Sequence, residues 1–325
     1  MNIPTTKRIH VIEIAPDVYA AVTPAQPLDI TDAGMMNNFS NSAYIDHGKG
    51  LVCDTYYDLP HARELREFCI QKSGHAPGYV VNTHGHWDHI WGNQIFPEAA
   101  IFGHEGMLTD CANDRQKLKF FRLLNNSAKV QHLADHMMTK MFQPYLQENQ
   151  SCHMLVQTGK DDFDLNGIIL RKPNRYFQHN MSLDLDGLQV QFLPMGALHS
   201  SSDTVVWIPS RRVLFAGDLF ADCSVPTSLE QGKKWVKAMD YILDELNPDV
   251  IVPGHGMPYD RIRARSQRDY FAALLRQFEQ YYTDKITPQE LCRKIDVEEY
   301  IDNRPRLGWI MAVNTMINAE KKKKK

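Results

Sequence analysis

Apolar residues recur along this chain at two spacings, and the switches between them divide it into strands and helices. Residues 9–23 pair two short apolar runs across Pro16-Asp17, a turn dipeptide, and so predict two strands. Residues 43–46 and 50–54 predict two more around His47-Gly-Lys-Gly50. Over residues 60–72 the spacing changes, with Ala62, Leu65, Phe68 and Cys69 on one helical face behind Pro60. Tyr79–Asn82 is an apolar strand. Helical spacing then runs through Glu105–Asn126 and Ala128–Glu148, a stretch rich in methionine (Met107, Met137, Met138, Met141). Strands resume at Leu188–Leu193, Thr204–Ile208 and Arg212–Ala216. A helix over Lys233–Leu246 turns Trp235, Val236, Met239, Ile242 and Leu243 inward, and Val250–Val252 is a strand. Residues 260–283 form a long helix. Thr287-Pro-Gln-Glu290 has the form of a capping box with proline at the first helical position, and residues 303–320 form a last helix. Each half reads as strands followed by helix, with no repeat and no linker. The class is α/β, a single domain over residues 1–325 with a helical insertion at about 105–180.

Composition narrows the function. The chain is 43% apolar, enough for a substantial core. Lys321–Lys325 form a basic tail, read as solvated or added. Without it 31 basic residues face 39 acidic ones, a charge of −8. A mildly acidic body argues against a nucleic-acid partner, since phosphate binding needs a basic face. No segment reaches the roughly 18–20 apolar residues of a membrane span. Residues 1–10 lack the apolar core of a secretory signal. The six cysteines are dispersed with no CxxC pair, as in reduced, packed thiols, and the expectation is a cytoplasmic protein.

The chemistry is concentrated in His84-Gly-His86-Trp-Asp88-His89, directly after a strand. Four such polar groups in six residues are not explained by packing, since buried polar groups need partners. Imidazole and carboxylate are the ligands that a borderline ion such as Zn²⁺ prefers. His84 and His86 can point the same way from an extended loop and share one ion. Asp88 and His89 follow on a turn and can hold a second.

With these residues the chain resembles the metallo-β-lactamase superfamily, whose signature is H-x-H-x-D-H after a strand. The rest of that pattern follows in order. His199 lies in Gly196-Ala-Leu-His-Ser-Ser-Ser-Asp203, Asp218 in Phe215-Ala-Gly-Asp-Leu-Phe220, and His255 in Val252-Pro-Gly-His-Gly256. The resemblance covers nearly all of the chain except about 105–180. It implies an αββα sandwich of two mixed sheets with outer helices. It also implies two zinc ions, or other divalent metals such as iron or manganese. His84, His86 and His199 would bind one and Asp88, His89 and His255 the other, with Asp218 bridging. Asp88 and Asp218 would also carry catalytic roles. Seven ligands suit two ions with an open position each.

The activity implied is hydrolysis of an ester, thioester, lactone or related bond in a small molecule by metal-bound hydroxide. A β-lactam is not favoured: many zinc β-lactamases carry lysine three residues after the Asp218 position, where this chain has Ala221. Two other readings compete, a mononuclear iron oxygenase resembling persulfide dioxygenases and a non-catalytic metal-binding scaffold. The full ligand set argues against both.

Other residues carry weaker signals. His132 and His136 are four apart on a helix without a third ligand. His104 suits a capping role as well as a supporting one, and Cys223, His179 and Tyr176 are candidates for the pocket wall. Asp203 and Ser200–Ser202 can orient His199. The Met-rich helices, with Phe120, Phe121, Leu123, Leu124, Met137, Met138, Met141 and Phe142, are expected either as a lid over the metals or as a helical pair packed on itself. Their outer side, or the last helix with Trp309, Ile310 and Met316, offers a surface for a homodimer.

Overall fold

The computed structural model describes residues 8–23, 32–34, 40–143, 151–153, 165–221, 224–297 and 306–323. Its first sheet has seven strands in the order β1 (His10–Ala15), β2 (Val18–Val22), β4 (Ser42–Ile45), β5 (Leu51–Cys53), β6 (Tyr79–Val81), β7 (Ala100–His104) and β9 (Arg175–Phe177). The first four pair antiparallel, and β5 onward runs parallel. The second sheet orders β10 (Met181–Leu185), β11 (Leu188–Gly196), β12 (Asp203–Ile208), β13 (Val213–Gly217) and β14 (Val250–Pro253), antiparallel except for the parallel pair β13 and β14. A two-stranded parallel ribbon joins β3 (Asp32–Gly34) to β8 (Ser151–His153).

The helices are α1 (Leu59–Ser73), α2 (Trp87–Ile90), α3 (Met107–Asp110), α4 (Asp114–Asn126), α5 (Ala128–Phe142), α6 (Leu229–Tyr241), α7 (Arg261–Tyr281), α8 (Pro288–Lys294) and α9 (Arg306–Lys323). Strand alternation builds four layers from these pieces. Val18, Ala20 and Val22 face Val206, Ile208, Val213 and Phe215 across the space between the sheets. The alternate residues Tyr19, Ala21, Tyr44 and Val80 face outward onto Leu65, Phe68 and Cys69 of α1. On the far side Val205, Trp207 and Leu214 meet Trp235 and Met239 of α6 and Phe271 and Leu274 of α7. The result is the expected αββα sandwich of mixed sheets.

Several local expectations are met and some need correction. Thr287 and Glu290 form the capping box at the start of α8: the Thr287 hydroxyl accepts from Glu290 N at 3.2 Å, and the Glu290 carboxylate accepts from Thr287 N at 2.8 Å. The helix read from Lys233 begins at Leu229, behind a second capping box of Ser228 and Gln231. Within the expected helical insertion, α4 and α5 are helical, but Ser151–His153 is a strand. Arg175–Phe177 pairs with β7 and belongs to the first sheet. Ile310 and Met316 of α9 are buried in the chain's own core, so they are not available to a second subunit. The Met138, Met141, Phe142 and Trp309 side chains, Cys223, and Lys324 and Lys325 lie outside the described residues. Cys53, Cys69, Cys111 and Cys292 are free and buried. Burial pushes the Cys53 and Cys69 thiols well up, which makes them packing groups rather than nucleophiles. Among the described residues no helix is long and apolar enough to cross a membrane.

Candidate metal centre

The parallel strands β5, β6, β13 and β14 end at the same edge of the sandwich, and the chemistry-bearing loops follow them. Asp54 comes after β5, the His84–His89 motif after β6, Asp218 after β13 and His255 after β14. Open α/β sheets bind ligands at such carboxyl ends. Backbone bonds hold the two sheets together here, Thr204 N donating to Thr83 O at 2.9 Å and Asn41 N to Gly254 O at 2.6 Å, while Gly254 N donating to Gly217 O at 2.7 Å ties β14 to β13 within the second sheet.

Two groups of donor atoms converge at this edge. The first comprises His84, His86, His199 and Asp218, and the second Asp88, His89 and His255. In the first, His199 Nε2 lies 2.9 Å from His86 Nδ1 and 3.2 Å from Asp218 Oδ2, and His84 Nε2 lies 4.0 Å from the same oxygen. In the second, Asp88 Oδ2 is 3.2 Å from His255 Nε2 and 3.6 Å from His89 Nε2. Asp218 turns its other oxygen to this group, with Oδ1 3.4 Å from His89 Nε2 and 3.5 Å from His255 Nε2. One carboxylate thus presents one oxygen to each group. A tetrahedral zinc with bonds near 2.0–2.1 Å would set its ligand atoms about 3.3 Å apart, so the donor spacing fits the ion.

A second observation points the same way. His84 Nε2, His89 Nε2 and Asp218 Oδ1 are buried with no hydrogen-bond partner among the described residues. Stranding polar atoms in this way costs about 1–3 kcal/mol each, a cost that coordination would remove. Asp54 turns the two imidazole Nε2 atoms inward: its Oδ2 accepts from His89 Nδ1 at 2.8 Å and from the Thr83 hydroxyl at 2.7 Å. Because that hydroxyl gives its hydrogen to Asp54, it can only accept from His84 Nδ1, 3.1 Å away. A single carboxylate therefore sets the tautomers of two histidines. Gly254 leaves room for the cluster, since a Cβ there would collide with Asp218 Oδ1.

The electrostatics suit a cation. Burial lowers His84 far below its usual range, with the neighbouring histidines adding to the effect; burial and His199 bring His86 down to about 4. Both imidazoles are therefore neutral near pH 7, the state that binds metal. Burial works to raise the carboxyls, but His89 and His255 hold Asp88 at about 2, and His255, His89 and His199 hold Asp218 well below the usual range. Burial likewise opposes charge on His89, yet Asp88, Asp218 and Asp54 carry it up to about 10. The two carboxylates draw in positive charge, whether from protons on imidazole or from a cation.

Asp203 does orient His199, but through the backbone: its carboxylate accepts from the amides of Leu198 at 2.9 Å, His199 at 2.7 Å and Ser200 at 3.0 Å. His104 serves a turn, with Nδ1 accepting from Gly106 N at 3.1 Å. His132, His136, Tyr176 and His179 are exposed and join neither donor group. Met137 is 64% exposed and does not line an apolar core. The segment meets the site through α4 instead. Leu118, Phe121 and Leu124 pack with Tyr57, Ile90 and Trp91, and the Phe121 ring centroid is 4.6 Å from that of Trp87, which lies between His86 and Asp88 in the chain. Asp54 was not singled out from the sequence, although an aspartate closing an apolar strand is the same signal that marks Asp218.

A family model described as the metallo-beta-lactamase superfamily matches residues 36–255, a span that includes all seven donors. The metallo-beta-lactamase type 2 of Bacteroides fragilis is 28% identical over 89 residues, 26% of this chain and 36% of that protein. The solved structure of the stereoselective inverting sec-alkylsulfatase Pisa1 from Pseudomonas sp. is similar at a TM-score of 0.63 and 16% identity, over 96% of this chain and 50% of that one. The metallo-beta-lactamase from Pontibacter korlensis is similar at a TM-score of 0.56 and 15% identity, over 82% of this chain and 99% of that one. The chain thus spans about a third of the curated relative and half of the sulfatase chain.

Proposed function

The chain belongs to the metallo-beta-lactamase superfamily, and from that premise we propose that it is a dinuclear zinc hydrolase acting on an ester-type bond of a small molecule. The observation that carries this reading is Asp218, with one carboxylate oxygen facing each donor group. His84, His86 and His199 would hold one ion and Asp88, His89 and His255 the other, with Asp218 shared. The chemistry such a pair supplies is a water acidified toward neutral pH and a polarised substrate oxygen.

The chain's own residues complete the task. Asp54 and Thr83 keep the His84 and His89 lone pairs pointed inward, and Asp203 fixes the loop that carries His199. The Asp88 side chain is 19% exposed, against 0% for His89, so it is the more accessible of the two. Held ionised, it can accept a hydrogen bond from water and orient it. No serine or cysteine nucleophile is required, in keeping with the inert buried thiols.

The substrate is a small molecule rather than a nucleic acid, given the acidic body of the chain. Trp87 and Phe121 supply an apolar wall beside the motif and favour a substrate with an apolar group next to the reacting bond. The names of the similar proteins add β-lactams and secondary alkyl sulfates to the esters, thioesters and lactones worth trying. The test is elemental analysis of the purified protein, followed by a substrate panel on the zinc-loaded form. Two zinc ions per chain and turnover of at least one ester class are expected. One iron per chain would replace the reading with the oxygenase, and bound metal without turnover would leave a scaffold.

A further inference from the structure

Asp110 stands outside the superfamily motif, on α3 at the start of the helical segment, yet it touches both loops of the first donor group. Its Oδ1 accepts from Ser201 N at 2.9 Å, two residues past His199. Its Oδ2 accepts from the Ser202 hydroxyl, whose oxygen in turn accepts from Gly85 N at 3.0 Å, between His84 and His86. The contact is close: a Cβ on Gly85 would lie 2.6 Å from Asp110 Cβ, so only glycine fits beneath this carboxylate. Cys111 adds a thiol bond to Gly85 O at 3.6 Å, and Lys117 Nζ holds Asp110 O at 3.2 Å. The loop carrying His84 and His86 comes from the first sheet and the loop carrying His199 from the second. A single side chain from a third element thus ties them together.

The second donor group is held by other means. Asp88 and His89 ride on α2, and the His255 loop is fixed by Asn41, whose Nδ2 donates to Pro253 O at 2.9 Å and Gly256 O at 2.6 Å.

Resting on the reading of the two groups as metal sites, we propose that Asp110 is a positioning residue that sets the geometry, and so the affinity, of the His84–His86–His199 site without affecting the Asp88–His89–His255 site. Removing the carboxylate frees Ser201 N and the Ser202 hydroxyl, and lets the two loops drift relative to each other. Outer hydrogen-bond partners of metal ligands typically contribute 10–100-fold to affinity. Asp110→Ala is therefore expected to weaken one of the two zinc sites about 10–100-fold, with the other changed less than about 2-fold. Asp110→Asn keeps an acceptor for Ser201 N but not for Ser202, and falls between Asp110→Ala and wild type.

The measurement is competition of zinc against a chromophoric chelator, paired with the visible spectrum of the cobalt(II)-loaded protein, neither of which depends on turnover. Ser202→Ala breaks the same relay with a smaller change, and is expected to weaken the same site. It carries the test if Asp110→Ala fails to fold. Selective weakening, together with a changed cobalt spectrum at one site, is the expected result. Wild-type affinity at both sites in Asp110→Ala and Ser202→Ala, or equal weakening of both sites, overturns this inference and leaves the two-metal reading standing. A wild-type protein that binds one ion or none overturns both.

Discussion

At the strand ends His84, His89 and Asp218 are polar, buried and turned toward one another, whereas on α4 and α5 Phe120, Leu123, Leu133 and Met137 are apolar and face water. Both regions break the usual partition of residues, at very different cost. Stranding a polar atom in the interior costs kilocalories, whereas a singly exposed apolar side chain is ordinary on a protein surface. The strand-end loops therefore need a reason in chemistry, and the helical segment does not. The contrast can be broken experimentally from either side.

The largest effect is expected at Asp218, because among the described residues it alone faces both donor groups. Asp218→Ala should remove activity and lower the bound metal by at least one ion per chain, a loss well beyond the roughly 10–100-fold that supporting residues cost. Elemental analysis and turnover of the purified variant check this. Two retained ions with normal turnover would mean that the paired geometry has another purpose.

Asp54 comes next. It sets the His89 tautomer directly and that of His84 through Thr83, so one change reaches both sites. Its φ of +57° is left-handed, a conformation that asparagine tolerates, which makes Asp54→Asn the fair substitution. Both zinc affinities should fall about 10–100-fold in chelator competition. Selective loss at one site would show that the Thr83 relay does not orient His84. Set beside Asp110→Ala, this variant separates a support shared by both sites from one confined to the first.

The difference between the two regions also governs what could be read from sequence. All seven donors stand at or just past the ends of apolar strands, where a buried run giving way to His or Asp is visible in one dimension. Asp54 shares that signature. Asp110 has no such mark, because its partners Ser201 and Ser202 lie about 90 residues on and meet it only through the packing of α3. The start of α6 was obscured by Gly232 and a polar first turn, and β9 by having only three residues. Helical spacing of Met and Leu predicted α4 and α5 but could not say which face would be covered. Phe121 and Leu124 are buried, while Phe120 and Leu123, one residue away from each, are exposed.

A smaller effect is expected from acid on the metal-free protein. His86 has its pKa lowered from 6.5 to about 4 on folding, so between these values the unfolded chain binds more protons than the folded one. Stability should therefore fall as pH drops from about 6.5 to about 4, and His84 adds to the same limb. His89 adds no slope there, since with its pKa raised to about 10 it is protonated in both states through most of that range; its contribution is lost instead as pH rises toward 10. Thermal unfolding of chelated protein across this range, compared with His86→Gln, checks the sign. An acid limb that persists unchanged in His86→Gln would assign it to other groups. Zinc should steepen the limb, because coordination keeps the imidazoles neutral in the folded state while the unfolded chain still takes up protons.

The smallest effect is expected on the outer face of the helical segment. Leu133 and Met137 are 58% and 64% exposed, so Leu133→Ala and Met137→Ala should each shift stability by no more than about 0.5 kcal/mol. Zinc content should not change, since neither residue touches a donor group. Denaturant unfolding at two protein concentrations tests this directly. A loss above about 1 kcal/mol that grows with protein concentration would show these side chains to be covered by a second copy, as the homodimer expectation holds. A substrate role would appear elsewhere: KM for long-chain esters or alkyl sulfates would rise in Met137→Ala while short substrates were unaffected, because each buried CH₂ contributes about 0.8 kcal/mol. If neither shift is seen, the apolar contact with substrate is left to Trp87 and Phe121, and α5 serves only to support α4.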